Sequence, residues 1–296
     1  MTASSSERAS AMGPSETLDP ESWDDVRAQG HRMLDDMIDY IAGIRERPVW
    51  RPIPDEVRAR FRAELPRAPG DLGEIYREYS DFIAPYATGN VHPGFMGWVH
   101  GGGNVVGALA EMLAGGLNAN LGGRDHVPIE VERQITEWMR AMLGFPPGSS
   151  GVFVTGTSMA NLMAVWVART ATLGQIARQH GVGGEGALLT AYTSTAAHGC
   201  ISKAMDLAGF GSDALRSMPV DRAHRVDVAA MRAQIKIDRE IGLRPFLVVG
   251  SAGTVDVGAI DDIEALSALC REEKLWFHVD GAHAERAIGA IDMKPE

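Results

Sequence analysis

The sequence predicts an α/β protein, with a mostly parallel sheet carrying helices on both faces and an N-terminal helical segment ahead of it. Three observations predict this. From Gly151 onward, short apolar runs alternate with helix-length amphipathic segments, the signature of successive βαβ units. The run from Leu275 reads as a buried strand ending in a single carboxylate, Asp280, followed at once by small residues, as expected where parallel strands end on a ligand. Before residue 87 the apolar residues recur at helical spacing.

Residues 1 to about 20 lack periodicity and are expected to form a disordered tail. From Trp23 a stripe of Val26, Met33, Leu34, Met37, Ile41 and Ile44 predicts an amphipathic helix with Ser22 as its N-cap. A connector with Pro48, Pro52 and Pro54 leads to short helices near 55–64 and 73–86. This segment, 21–86, is too thin to fold alone, so its stripes need a surface from the main domain or from a second subunit. Residues 87–296 form the main domain. It opens on the loop His92-Pro-Gly-Phe-Met-Gly-Trp98, then an Ala/Leu/Met-rich helix after Gly103 and a helix from Pro128 to Leu143. Strands follow at 151–155, 187–192, 215–219, 246–251 and 275–280, with helices at 158–173, 195–208, 226–241 and 260–273 between them.

The 28 basic and 39 acidic residues give a formal charge of −11, with no Lys/Arg cluster to track a phosphate backbone, so nucleic acid is not an expected partner. No run approaches the ~18 apolar residues of a membrane span and no secretory leader pattern is seen, so the expected location is the cytoplasm. Cys200 and Cys270 lie in helix-like patterns and read as core residues.

Four segments carry chemistry. Thr155-Gly-Thr-Ser-Met-Ala-Asn161 is a small-residue turn opening a helix, and the first-turn amides with the hydroxyls of Thr157 and Ser158 suit a phosphate; a capped turn without ligand is the alternative. His198, after the second strand, is placed to stack on a flat ring or move protons, or else to cap a helix. Ser251 and Thr254 end the next apolar strand as hydrogen-bonding hydroxyls or as turn residues. Asp280 suggests a cationic partner, one candidate being the ring nitrogen of pyridoxal phosphate. His278 and Asp280 face one side of their strand with His283 close behind; a metal triad is conceivable, but it leaves the phosphate cup unexplained, and no metal is expected.

In this order the segments resemble the group II pyridoxal-phosphate-dependent amino-acid decarboxylases, which act on aromatic amino acids, tyrosine, histidine or glutamate. The resemblance runs from about residue 22 to the end, through HPGFMGW, Pro128 with Glu130 and Glu132, the Thr155–Asn161 turn, His198, Ser251-Ala-Gly-Thr254 and His278-Val-Asp-Gly-Ala-His-Ala284. It implies the large domain of the fold type I pyridoxal-phosphate enzymes, a homodimer with a shared active site, and conversion of an L-amino acid, with a mild preference for an aromatic one, to its amine and carbon dioxide. Asp280 is implied to pair with the pyridinium nitrogen, His198 to stack on the ring, Thr157 and Ser158 to hold the phosphate, Ser251 or Thr254 to bond near the ring, and Ala282 to pack beneath it. Trp98, Val99 and His100 are implied on the substrate side, while Met159 departs from the acidic residue several relatives carry.

The resemblance also implies a Schiff-base lysine, preceded by histidine, some thirty or more residues past the aspartate. Only Lys294 follows Asp280, too close and without that histidine, so the chain is expected to be truncated before its nucleophile. The alternatives are a non-catalytic fragment or degenerate homologue, or another enzyme of the same fold such as an aminotransferase or aldolase.

Overall fold

The computed structural model describes residues 19–67, 70–87, 89–98, 101–122 and 125–283. All but the last two residues of the expected tail lie outside that set, as do Val99, His100 and Lys294. The chain divides into two compact units, Met1–Ala119 and Asn120–Glu296.

The first unit is helical. Helix α1 (Trp23–Ala42) starts where Ser22 accepts a hydrogen bond from the Asp25 amide, satisfying one of the first-turn donors. Helix α2 (Asp55–Arg60) is followed by α3 (Leu72–Glu78), capped by Asp71 and prolonged by a π turn at Tyr79–Ile83 and a 3-10 turn at Ala84–Tyr86. Tyr76 ties α3 to α1 by donating to Asp36 at 2.7 Å. Helix α4 (Val105–Leu117) has one charged residue, Glu111, and buries none of its side chains; Val106, Leu113 and Leu117 are 64% exposed or more.

The second unit begins with α5 (Val127–Met142), whose proline stands at its second position, followed by Gly144 at φ +69° as the stop. Residues 151–155 are a correction. They are extended but belong to no strand, because no ladder neighbour meets them among the described residues; the Phe153 amide bonds the Glu132 side chain instead, and Val152 and Phe153 are exposed. Helices α6 (Thr157–Leu173) and α7 (Ile176–His180) follow, the latter not anticipated from periodicity. Then come β1 (Leu189–Ser194), α8 (Cys200–Leu207), β2 (Leu215–Met218), α9 (Val228–Glu240), β3 (Arg244–Ser251), α10 (Ile263–Glu273) and β4 (Trp276–Asp280). Helix α8 starts five residues later than expected, which leaves His198 in the turn before it.

The four strands are parallel, in the order β2-β1-β3-β4. The central strands β1 and β3 are buried along nearly their whole length, as helices on both faces require, while β2 and β4 are only partly covered. Leu162, Val165 and Ala168 of α6 and Ile201 and Met205 of α8 pack with Ala191, Leu247 and Val249 on one face. Met231 and Ile235 of α9 and Leu266 and Leu269 of α10 pack with Tyr192 and Val248 on the other. Gly250 permits close approach there, since a Cβ on it would stand 2.8 Å from Leu266 Cδ1. From β1 the chain steps outward to β2, then returns past β1 to β3 and goes on to β4, so the connections reverse between β1 and β3. In open α/β sheets such a reversal is where a ligand crevice is expected, at the carboxyl ends of the strands. Among the described residues no helix is long and apolar enough to cross a membrane.

Candidate active site

The crevice is bounded by the turn after β1, the loop after β3, the end of β4 and the start of α6. At that start Gly156 adopts φ +80°, no side chain caps the helix, and the Gly156 carbonyl accepts from Met159 and Ala160. The amides of Thr157 and Ser158 have no carbonyl inside the helix to pair with, and the helix dipole adds positive potential, so this end can take an anion. Thr157 and Asn161 are four residues apart and share a face of α6.

Asp280 is buried at 6% exposure, and among the described residues its carboxylate accepts only neutral donors: Asn161 Nδ2 at 3.1 Å on Oδ2 and the Ala282 amide at 3.1 Å on Oδ1. No ion pair reaches it among the described residues. A buried carboxylate without a cation carries a desolvation cost that a positively charged ligand would relieve. Ser251 lies beside it in the β3–β4 register, so the two side chains emerge on one side of the sheet.

Asn161, 1% exposed, joins three residues. Besides Asp280 it donates to Cys200 Sγ at 3.2 Å, and its Oδ1 meets His278 Nε2 at 2.7 Å. Burial pushes the His278 imidazole below the ordinary histidine range, outweighing the opposing attraction of Asp280. The Cys200 thiol is pushed up, first by burial and also by the Asp280 charge, with the Ser158 side chain in hydrogen-bonding contact. Two residues before Cys200, His198 Nδ1 accepts the Cys200 amide at 3.1 Å, so a neutral His198 carries its proton on Nε2, and the residue is exposed.

His198, Asp280, Ser251, Ala282 and Ser158 are thus linked through Asn161, Cys200 and the β3–β4 register, with Thr157 next to Ser158 at the start of α6. Thr254 is buried and its hydroxyl accepts the Ala259 amide at 3.0 Å, which closes the loop 254–259. Trp98 stands in the first unit, 58% exposed, with Phe95 edge-on to its ring at a centroid distance of 4.9 Å. Val99 and His100 lie outside the described residues. Sequence reasoning missed Asn161, for which a polar residue in a run of Met, Ala and Leu was the only signal. It also missed Asp261, whose buried carboxylate accepts the amides of Val226 and Ser251 and anchors the loop after β3. That loop needs Gly253 at φ +102°, where a Cβ would stand 3.0 Å from His283 Cβ and 3.2 Å from its carbonyl oxygen.

Residues 54–293 match the family model of the pyridoxal-dependent decarboxylase conserved domain. An aromatic-L-amino-acid decarboxylase of Bacillus atrophaeus is 33% identical over 270 residues, covering 90% of this chain and 54% of that protein. The Rattus norvegicus aromatic-L-amino-acid decarboxylase is 29% identical over 279 residues, covering 89% of this chain and 57% of that protein. Among solved structures, Oryza sativa TDC with PLP and tryptamine superposes with a TM-score of 0.82 at 25% identity, covering 92% of this chain and 58% of that one. Rhodiola rosea 4-hydroxyphenylacetaldehyde synthase superposes with a TM-score of 0.79 at 25% identity, covering 88% and 57%. The chain spans a little over half the length of these relatives.

Proposed function

The chain belongs to the pyridoxal-dependent decarboxylase family, whose cofactor is pyridoxal phosphate, and from that membership we propose that the protein carrying it decarboxylates an L-amino acid to the amine and carbon dioxide. The observation that carries the reading is Asp280, a buried carboxylate at the carboxyl end of β4, hydrogen-bonded among the described residues to neutral donors alone. The residues present fit the cofactor: Asp280 suits a protonated ring nitrogen, the α6 amides and the hydroxyls of Thr157 and Ser158 suit a phosphate, and the exposed His198 ring suits one face of a flat heterocycle. When bound, pyridoxal phosphate supplies the electron sink that lets an amino acid lose its carboxylate. Asp280 holds a proton on the ring nitrogen by its fixed negative charge. Thr157 and Ser158 anchor the phosphate end and so set the ring's register against Asp280. His198 would stack on the ring with its Nε2–H available as a donor, and Ala282 would pack beneath the ring as a small side chain.

The proposed substrate is an aromatic L-amino acid, supported by the names of several relatives. Trp98, Val99 and His100 are proposed to contribute to its side-chain pocket. A homodimer is proposed as well, supported by α4, a helix with one charged residue and no buried side chain. The assay is product analysis on the full-length protein with pyridoxal phosphate and aromatic L-amino acids. Stoichiometric amine and carbon dioxide are expected; a keto acid without carbon dioxide, or an aldehyde as main product, overturns the reading.

A further inference from the structure

We propose that Asn161 is a positioning residue that fixes the Asp280 carboxylate and keeps it a weaker base than the ring nitrogen it faces, so that their shared proton stays on the ring. This deepens the pyridoxal phosphate reading and rests on it.

The direction of the Asn161 amide is set by its neighbours. Its nitrogen has two hydrogens and two acceptors in reach, Asp280 Oδ2 at 3.1 Å and Cys200 Sγ at 3.2 Å, while its oxygen meets His278 Nε2 at 2.7 Å. Turned over, the amide would set an oxygen against a buried carboxylate oxygen, losing its bond to Asp280. It follows that His278 donates from Nε2, and a neutral imidazole in that tautomer locks Asn161 in turn. At 1% exposure Asn161 has no water to take its place.

The consequence for Asp280 is chemical. Each donor on a carboxylate favours its ionised form, and Asp280 has two, Asn161 on Oδ2 and the Ala282 amide on Oδ1. A ring nitrogen placed against it shares one proton with it, carried as N–H⁺ with a carboxylate or as neutral nitrogen with a carboxylic acid. Removing the Asn161 donor raises the basicity of Asp280 and draws that proton from nitrogen to oxygen, with nothing else gained or lost. The Ala282 amide belongs to the backbone and cannot compensate.

The test uses the full-length protein freed of cofactor and 4′-deoxypyridoxine 5′-phosphate labelled with nitrogen-15 in the ring, a probe with no aldehyde and so no bond to any lysine. The ring-nitrogen chemical shift is followed by NMR from about pH 6 to about pH 9, with the binding constant for inorganic phosphate measured alongside. In the wild type the nitrogen is expected to stay protonated throughout. In Asn161→Leu the nitrogen shift should move toward the neutral-ring value at every pH in that range, the ratio of N–H⁺ to O–H forms falling about tenfold or more, with phosphate binding unchanged within about twofold. Asn161→Ser, a smaller polar change, should move it the same way and decides the matter if the leucine variant does not fold. Protonation equal to wild type in a folded Asn161 variant overturns the proposal and leaves the cofactor reading standing. Failure of the wild type to bind the probe overturns both.

Discussion

Asn161 Nδ2 stands 3.1 Å from Asp280 Oδ2 across 119 residues of sequence, and this contact joins the first turns of α6 to the last residue of β4. The remaining expectations are tied to that joint and to the core beneath it.

Asp280→Asn keeps the side chain's shape and removes its charge. A donor then faces the ring nitrogen, and the electron sink is lost. The rate of amine formation should fall by at least ~100-fold, the scale of losing one preorganised electrostatic partner. A stopped-flow or end-point amine assay reads this; activity within about threefold of wild type would mean that Asp280 does not face the ring.

Gly253→Ala places a Cβ at φ +102°, 3.2 Å from the His283 carbonyl oxygen. Backbone of this kind tolerates no side chain cheaply, and about 1–3 kcal/mol of destabilisation is expected from denaturant unfolding. An unchanged midpoint would show that the loop relaxes freely.

His278 predicts an acid limit. Its folded pKa lies below the ordinary 6.5, so the unfolded chain takes up a proton first. The stability that the neutral imidazole contributes is complete above that value and drains away as pH falls through the folded pKa. Urea midpoints should therefore decline from about pH 7 to about pH 5, and His278→Gln should flatten the decline. An equal slope in the variant would assign the acid sensitivity elsewhere.

The two thiols should be inert in the folded state. Cys200 and Cys270 are buried, burial pushes the Cys270 thiol up to about 12, and the Asp280 charge adds to the effect of burial at Cys200. Alkylation at mildly basic pH should be at least ~10-fold slower than in denaturant, counted by mass. Rapid labelling of the native protein would place one of them at the surface.

Beneath the site, Tyr192 donates to the buried Asp238 at 2.7 Å, and Arg216 and Gln234 complete that carboxylate's partners. Burial drives the tyrosine's pKa well above its ordinary range, so it remains a donor at any working pH. Tyr192→Phe should cost about 1–3 kcal/mol, readable from the chevron or the equilibrium midpoint.

Legibility in the sequence followed the range of the interactions. Asp280, His198 and the α6 start stood out in the sequence because each sits where composition changes sharply over a few residues. Asn161 could not, since its meaning depends on His278 and Asp280, more than a hundred residues away. Residues 151–155 carry a good strand pattern, yet pattern alone does not supply the neighbour that makes a strand. Thr254 shows the converse: a hydroxyl at a strand end is equally a cap for its own loop, and here it holds the Ala259 amide.

The carboxylate end of the crevice has a temporal side. Asp280 finds Asn161 only after α6 has docked and β4 has joined the far edge of a sheet built in the order β2-β1-β3-β4. Contacts of such sequence separation close late, because the chain between them must first be ordered. A ligand that needs both ends therefore recognises finished molecules and passes over nearly finished ones, drawing the folding equilibrium toward completion by mass action. During synthesis, uptake of the cofactor would serve as a signal that the sheet has been assembled.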